Sequence, residues 1–278
     1  MKVFGFLCFG HYAFGGQSGP SAEKIAKTHL EIAQAANEIG INNASFRAHH
    51  FVPQASAPMP LLGAVAATTK HIEVGTGVID MRYENPLYLA EEAASLYQVS
   101  GDRVPLGVSR GTPEVAVRGW EAFGYKDEAP NGADVARTHL EAFMAAVDGN
   151  RFATAAPLNR QYPNMFQPAS ALPVFPIADG ADMQMFGMQA TGSDQMGMLP
   201  DVDASAFGRT FAAEPDKLIE QLEADPTVMS AAALLITIST GMGTDVNVKI
   251  LDDFATHVAP ALGWQPNREG PVTGYPIE

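Results

Sequence analysis

Residues 2–9, KVFGFLCF, and then residues 21–39, SAEKIAKTHLEIAQAANEI, set the reading frame for everything that follows. After Lys2 the first is an apolar run of strand length. The second repeats apolar residues at helical spacing (Ile25, Ala26, Leu30, Ile32, Ala33, Ala36) and stops at Gly40, a residue suited to the left-handed turn that ends helices. The unit recurs. Asn43–His50 is the next predicted strand, Pro60–Thr69 the next helix, and His71–Ile79, rich in Val, Ile and Thr, the third strand. Asn85–Tyr97 is then helical, Val104–Ser109 a fourth strand and Asp134–Val147 a helix. Strands alternating with helices need crossover connections, which makes the sheet parallel and covers it with helices. A barrel and a doubly wound sheet both satisfy that pattern.

The rhythm breaks in the middle of the chain. Phe152–Pro173 holds four prolines and no clear period and reads as loop, and Val174–Ala178 is a short strand candidate. Residues 182–200 carry Met183, Met185, Met188, Met196 and Met198, flexible apolar side chains that fill irregular gaps in a core or line an adaptable pocket. Order resumes with a helix over Glu214–Leu222, a buried strand over Ala232–Ser239 and a last helix over Val248–Leu262. Six strand candidates result, two short of the eight that close a parallel barrel.

With 278 residues, 46% hydrophobic and 17% charged, the chain can bury a large core as one domain spanning 1–278. Its formal charge is −14, from 17 basic and 31 acidic residues without a basic cluster, which argues against nucleic-acid or anionic-membrane partners. Met1–Gly10 has one lysine and no small-residue cleavage site before His11 and Tyr12, so it reads as a strand and not a leader. No run of eighteen uncharged apolar residues is present to span a membrane. The lone Cys8 cannot form an internal disulfide and no Cys/His spacing suits a metal, which points to a cytoplasmic protein without a metal site.

Three candidate sites fall at predicted strand ends. His49 and His50 close the second strand, where alternation sends one imidazole to the mouth and the other away. Gly75-Thr76-Gly77 lies inside the third strand, where glycine pairs admit a flat ring, a neighbouring backbone or a large neighbouring side chain. Ser109-Arg110-Gly111 ends the fourth, and an arginine there can grip a phosphate or carboxylate. Taken singly, each has an ordinary structural reading as well.

Their order carries more than each alone. Ala48-His49-His50-Phe51, Gly75-Thr76-Gly77-Val78, Tyr83-Glu84-Asn85-Pro86, Ala90-Glu91-Glu92 and Leu106–Gly111 together resemble the bacterial-luciferase-like flavin monooxygenases. The resemblance resumes at Phe207-Gly208-Arg209, Ala213–Asp216, Leu234–Ile238, Asn247 and Ala259–Trp264. It implies a TIM-like (β/α) barrel, reduced FMN or in some branches a deazaflavin at the carboxyl-end mouth, and oxygen insertion into a small organic substrate. His49 then stands at the position of the family's catalytic histidine, acting as acid or base beside the flavin. Gly77 and Val78 match the segment lying against the isoalloxazine ring, often through a non-prolyl cis peptide. Arg110 matches a phosphate contact, aided if at all by Arg103 or Arg118. Ser109 replaces a reactive cysteine of luciferase and Ala48 a carboxylate, which argues against light emission. Matching Val174–Asp179 to the family's seventh strand leaves the fifth and sixth units out, along with the loop that normally holds the flavin phosphate. The resemblance therefore also admits a degenerate flavin-binding protein similar to the shortened non-fluorescent flavoprotein. It further implies a flavin reductase as partner and a homodimer formed through Pro60–Thr69 and Asn85–Tyr97.

Overall fold

A computed structural model describes residues 3–111, 116–150, 211 and 213–270. The apolar run at the N-terminus forms β1 (Val3–Cys8), buried along its whole length. It is followed by α1 (Ala22–Ile39), whose first turn is capped by the Ser21 hydroxyl accepting from Lys24 N at 3.2 Å. Gly40, at φ +95°, ends the helix in the left-handed conformation expected of it. β2 (Asn43–Phe46), α2 (Pro58–Thr68), β3 (Glu73–Asp80), α3 (Pro86–Ser100), β4 (Leu106–Ser109) and α4 (Ala133–Val147) continue the alternation. Asn85 caps α3 by accepting from Leu87 N and Tyr88 N, and Pro86 fills the first helical position. After the middle of the chain come α5 (Pro215–Glu223), α6 (Pro226–Ser230), β5 (Ala233–Ile238) and α7 (Thr244–Asp253).

The five strands are all parallel, in the order β4-β3-β2-β1-β5. Successive strands lie side by side and the last returns to the first, which is the strand order of a (β/α) barrel and not of a doubly wound sheet. One face packs on the helices. Phe4 meets Phe254 and Trp264 edge-on at 5.1 and 4.7 Å, and Phe6 meets Phe46 at 5.8 Å. Ile32, Ala36, Leu62, Val65, Leu89, Ala93, Phe143 and Leu251 complete this buried layer from the helices. The other face is the barrel interior. A Cβ on Gly5 would lie 2.7 Å from Asn43 Cβ and 3.0 Å from Leu235, so Gly5, Asn43 and Leu235 point inward together. Asn42 ties the start of the sheet to the C-terminal segment, its amide oxygen accepting from Phe4 N at 3.2 Å and from Trp264 Nε1 at 2.8 Å.

Element bounds depart from the sequence reading where backbone partners run out. The second strand stops at Phe46 instead of His50, because β1 turns away at Gly10 (φ +66°) after Cys8 O has accepted from Arg47 N. The His49 N–H bonds Ala55 O in its own loop instead. The fourth strand begins at Leu106 and not Val104, since Pro105 has no N–H to offer the ladder. The last helix starts at Thr244, four residues early, on the far side of Gly243 (φ +86°), and gives way at Phe254 to a π-turn in which Ala259 N donates to Phe254 O. The predicted strand at Val174–Ala178, the methionine-rich stretch, Phe207–Arg209 and the absence of two barrel units all concern residues 151–210, outside the described residues.

Arg103 overturns an expectation. It is 4% exposed and sits ahead of β4, at the opposite end of the sheet from the mouth. Its guanidinium donates to the carbonyls of Ser100, Ile72, Ala66 and Thr69 and to the Thr69 hydroxyl, at 2.7–3.1 Å. It thereby closes the end of α2 and the α3–β4 turn with one side chain, and it cannot reach a ligand at the mouth. Arg103→Ala should lower the unfolding free energy by about 3 kcal/mol or more, since several buried acceptors lose a charged donor. A urea midpoint unchanged from wild type would refute that role.

Candidate functional site

Because all five strands are parallel, their carboxyl ends share one rim, and the loops that leave it carry the candidate residues. From β2 the chain passes through Arg47, whose guanidinium lies over the Phe9 ring at 5.2 Å, and reaches His49, 3% exposed. His49 Nδ1 lies 3.2 Å from the His50 carbonyl. A carbonyl only accepts, so Nδ1 carries the proton and Nε2 is the basic nitrogen of the neutral ring. Burial, and next the Arg47 charge, lower the His49 pKa to about 4. His50 turns the other way, 3.7 Å from the Glu84 carboxylate and 4.6 Å from the Tyr83 ring. The two imidazoles thus have different partners, and both stand in a loop and not in the strand whose alternation would separate them.

On β3 the two glycines answer to different neighbours. A Cβ at Gly75 would meet the Pro105 carbonyl at 1.9 Å, so close approach of backbone requires glycine there. At Gly77 the neighbour is a side chain, Leu7 Cδ1, at 2.7 Å. The Gly77–Val78 peptide bond is cis, and Val78 is the one half-exposed residue of this otherwise buried strand. Beyond it Asp80 and Arg82, both buried, form an ion pair in which Arg82 Nε bonds both carboxylate oxygens at 3.0 Å.

β4 ends at Ser109, whose hydroxyl accepts from Gly111 N at 2.9 Å and so shapes its own turn. Gly111 (φ +81°) rests on the ion pair, for a Cβ would lie 1.9 Å from Asp80 Oδ2. Arg110, between them, is exposed and has no hydrogen bond or ion pair among the described residues. Arg118 is otherwise engaged. It bonds the Glu121 carboxylate at 2.7 Å and the Asp127 carbonyl and lies over Trp120, which removes it as a helper for Arg110. His49 and Arg110 thus follow β2 and β4 at one rim, with Val78 near the end of β3 between them, while Arg103 lies at the far end.

The sequence reading passed over several residues of this rim. His11, after β1, accepts from the Gln54 side-chain amide at 2.5 Å and stacks on Phe9. Arg47 precedes His49 by two positions, a spacing that puts both on one side of an extended chain and could have drawn attention. Asp80 and Arg82 show the same spacing. Phe51, Tyr83 and Phe123 gather around His50, a convergence of three loops that no local pattern announces.

A family model for luciferase-like monooxygenases matches residues 1–201. The chain is similar to protein y4wF of Sinorhizobium fredii, 30% identical over 108 residues that make up 38% of this chain and 32% of that one. It is also similar to the oxygenase component of the flavin-dependent trigonelline monooxygenase of Acinetobacter baylyi, 33% identical over 84 residues, 30% of this chain and 23% of that one. The matched stretches span a third or less of these relatives. Among solved structures, it superposes on the FMN-bound oxygenating constituent of 3,6-diketocamphane monooxygenase from Pseudomonas putida with a TM-score of 0.67 at 16% identity, covering 94% of this chain and 99% of that one. The coenzyme F420-dependent tetrahydromethanopterin reductase of Methanopyrus kandleri gives a TM-score of 0.57 at 13% identity, covering 94% and 100%. At these identities the structural likeness is one of fold.

The buried ionisable groups make stability depend on pH. Burial lowers His11, His29 and His49 to about 4, with Arg47 adding to the effect at His11 and His49. Burial raises Glu73, at the foot of β3, to about 7. Unfolded histidine titrates near about 6.5 and glutamate near about 4.3. Between those values each histidine takes up a proton on unfolding and Glu73 releases one, a net uptake of about two. The histidine contribution is complete above about pH 6.5 and is lost towards pH 4, while the Glu73 contribution is complete below about pH 4.3 and is lost as the pH rises through 7. The histidines win. Stability should fall on acidification from pH 6.5 to 5 by on the order of 2 kcal/mol per pH unit, and His29→Phe should flatten the slope. Urea midpoints that are constant or rise over that range would contradict the assignment.

Proposed function

The chain belongs to the luciferase-like monooxygenase family, and on that footing we propose that it is a flavin-dependent monooxygenase using reduced FMN and oxygen on a small organic substrate. The observation that carries this reading is the neutral, buried His49 at a rim shared with Val78 and the uncommitted Arg110. The fit to FMN rests on that same rim. Val78 offers a half-exposed apolar surface on a strand otherwise closed, suited to one face of a flat ring. Arg110 offers a planar charged fork for a phosphate, and the Asp80–Arg82 pair lies beneath the Gly111 turn that follows it. When bound, the reduced flavin would supply the two electrons that activate oxygen. His49 would supply a proton acceptor at Nε2, held in that tautomer by the His50 carbonyl. A deazaflavin would make the same phosphate contact and is the alternative cofactor.

Reduced flavin would come from a separate flavin reductase, in keeping with the component naming of the trigonelline enzyme. Pairing into a homodimer would use α2, which carries no charged residue, and the exposed Tyr88 and Val99 of α3. No helix among the described residues is long and apolar enough to cross a membrane, and a cytoplasmic setting suits a reductase-fed enzyme.

The test is titration with FMN, followed by oxygen consumption with an added reductase. His49→Ala should leave FMN affinity nearly unchanged and slow substrate oxidation by about 10²-fold or more. Unaltered, coupled turnover in that variant would refute the role. Arg110→Ala should weaken FMN by roughly ten- to a hundredfold and leave riboflavin, which lacks the phosphate, almost unaffected. Equal weakening of both flavins would make Arg110 structural. Flavin uptake without coupled oxygen use would mark a non-catalytic flavin-binding protein.

A further inference from the structure

Four rings converge at the rim beside His49, from three different loops. His50 and Phe51 come from the loop after β2, Tyr83 from the loop after β3, and Phe123 from the 3₁₀ turn Gly119–Phe123 after β4. Tyr83 is the floor, 3% exposed, with His50 at 4.6 Å, Phe123 at 5.3 Å and Phe51 at 5.9 Å between ring centroids. Phe51 and Phe123 face each other edge-on at 6.1 Å and are 49% and 45% exposed. A cluster that served only to pin the loops would bury its rings. Here two of them keep half their surface in water.

The backbone is bent to present them. Phe51 sits at φ +61°, a left-handed conformation that a bulky residue rarely adopts. Gly119 makes room beneath, since a Cβ there would lie 2.7 Å from Phe51 Cε2 and 2.9 Å from the Tyr83 hydroxyl oxygen. Two unrelated features therefore hold the Phe51 ring in one place. The cluster also adjoins the proposed base, for the carbonyl that orients His49 belongs to His50.

We propose that this cluster recognises the organic substrate and that the substrate carries a planar aromatic or heteroaromatic ring. Aromatic rings prefer offset or edge-to-face partners, and Phe51 and Phe123, already edge-on to each other over Tyr83, leave their outer surfaces ready for one more ring in such an arrangement. A saturated ring of the same size would gain the apolar contact without the ring–ring term. The His50–Glu84 pair borders the cluster and can orient a polar substituent. The site adjoins the loop that carries His49, where the proposed oxidation would take place. The inference rests on the flavin-monooxygenase reading for the reaction but not for the binding.

The probes are 2-naphthol and its saturated counterpart decahydro-2-naphthol, titrated calorimetrically into the full chain with and without oxidised FMN. The planar probe should bind about tenfold more tightly, the size expected for two aromatic contacts. Phe51→Leu and Phe123→Leu keep an apolar side chain at half-exposed positions and should each remove most of that preference while changing decahydro-2-naphthol by less than twofold. Far-ultraviolet dichroism matching wild type confirms that the variants fold, and the wild-type comparison of the two probes needs no variant. Equal affinity for the two probes overturns the proposal, as does a preference that both variants retain. If Phe123→Leu weakens FMN as strongly as 2-naphthol, the cluster serves the flavin and the proposal fails. Should FMN not bind at all while the preference for the planar probe persists, the flavin reading fails and the aromatic site stands.

Discussion

Close contact between parallel backbones, permitted by glycine, governs this structure. β3 touches β4 at Gly75, against the Pro105 carbonyl, and at Gly107, against the Thr76 carbonyl; across the interior, Gly77 meets Leu7. Any side chain at Gly75 or Gly107 would collide with backbone, which cannot move without breaking the ladder. The sheet can therefore curl tightly on its inner face, as a barrel must. The curl sets the rim. It brings the end of β3 next to the end of β4, so that Met81 N bonds Ser109 O at 2.9 Å and Asp80 underlies Gly111. Placement of Arg110 thus traces back to glycines several residues away on the neighbouring strand.

The rim also separates charges that are spent from charges that are kept. Asp80 and Arg82 are both buried, and an ion pair of that kind recovers its desolvation cost only through good geometry and further hydrogen bonds. Both conditions hold: the guanidinium bonds both carboxylate oxygens and also lies over Tyr83 and Trp120, at 5.5 and 5.6 Å. Such a pair contributes little net stability, but removing either member would strand a charge. Its use is geometric, as the support of the Gly111 turn and, through Tyr83, of the aromatic cluster. Arg110 differs in having solvent as its neighbour. A cation left hydrated at the rim is the arrangement from which an anion can be bound without first breaking an internal contact.

Periodicity made the fold legible because each element buries one face, and the caps at Gly40 and Asn85 marked helix ends in the sequence itself. Strand ends were harder to read. Asn43–His50 contains no glycine or proline to stop it, but a strand lasts only as long as its neighbour, and β1 leaves at Gly10. The start of α7 was hidden for the opposite reason: Thr244, Asp245 and Asn247 form a polar first turn, held by Asn247 Nδ2 donating to Ser239 O and by Thr244 bonding Glu31 across the fold. At the site, residue types at strand ends could be seen, but the direction of long side chains could not. Arg103 and Arg110 look alike in sequence, and whichever carbonyls surround an arginine after folding decide whether it is a structural donor or a ligand donor. His11 and the Phe51–Tyr83–Phe123 cluster depend on loops meeting in space, for which no local spacing exists.

The low pKa values at the mouth make the site responsive to what enters it. Arg47 lowers both His11 and His49, acting on imidazoles already disfavoured as cations by burial. In that state His49 is a weak base, held neutral, and a weak base takes a proton reluctantly. An anion arriving at the rim opposes the Arg47 charge and favours the protonated form of each nearby imidazole. Coulomb energy between partly buried groups is screened far less than between groups in water, so the shift from a phosphate-sized charge would be felt even across the width of the mouth. Binding an anionic cofactor would therefore raise the basicity of His49. The same arginine that holds His49 neutral would in that case tie its basicity to the arrival of negative charge.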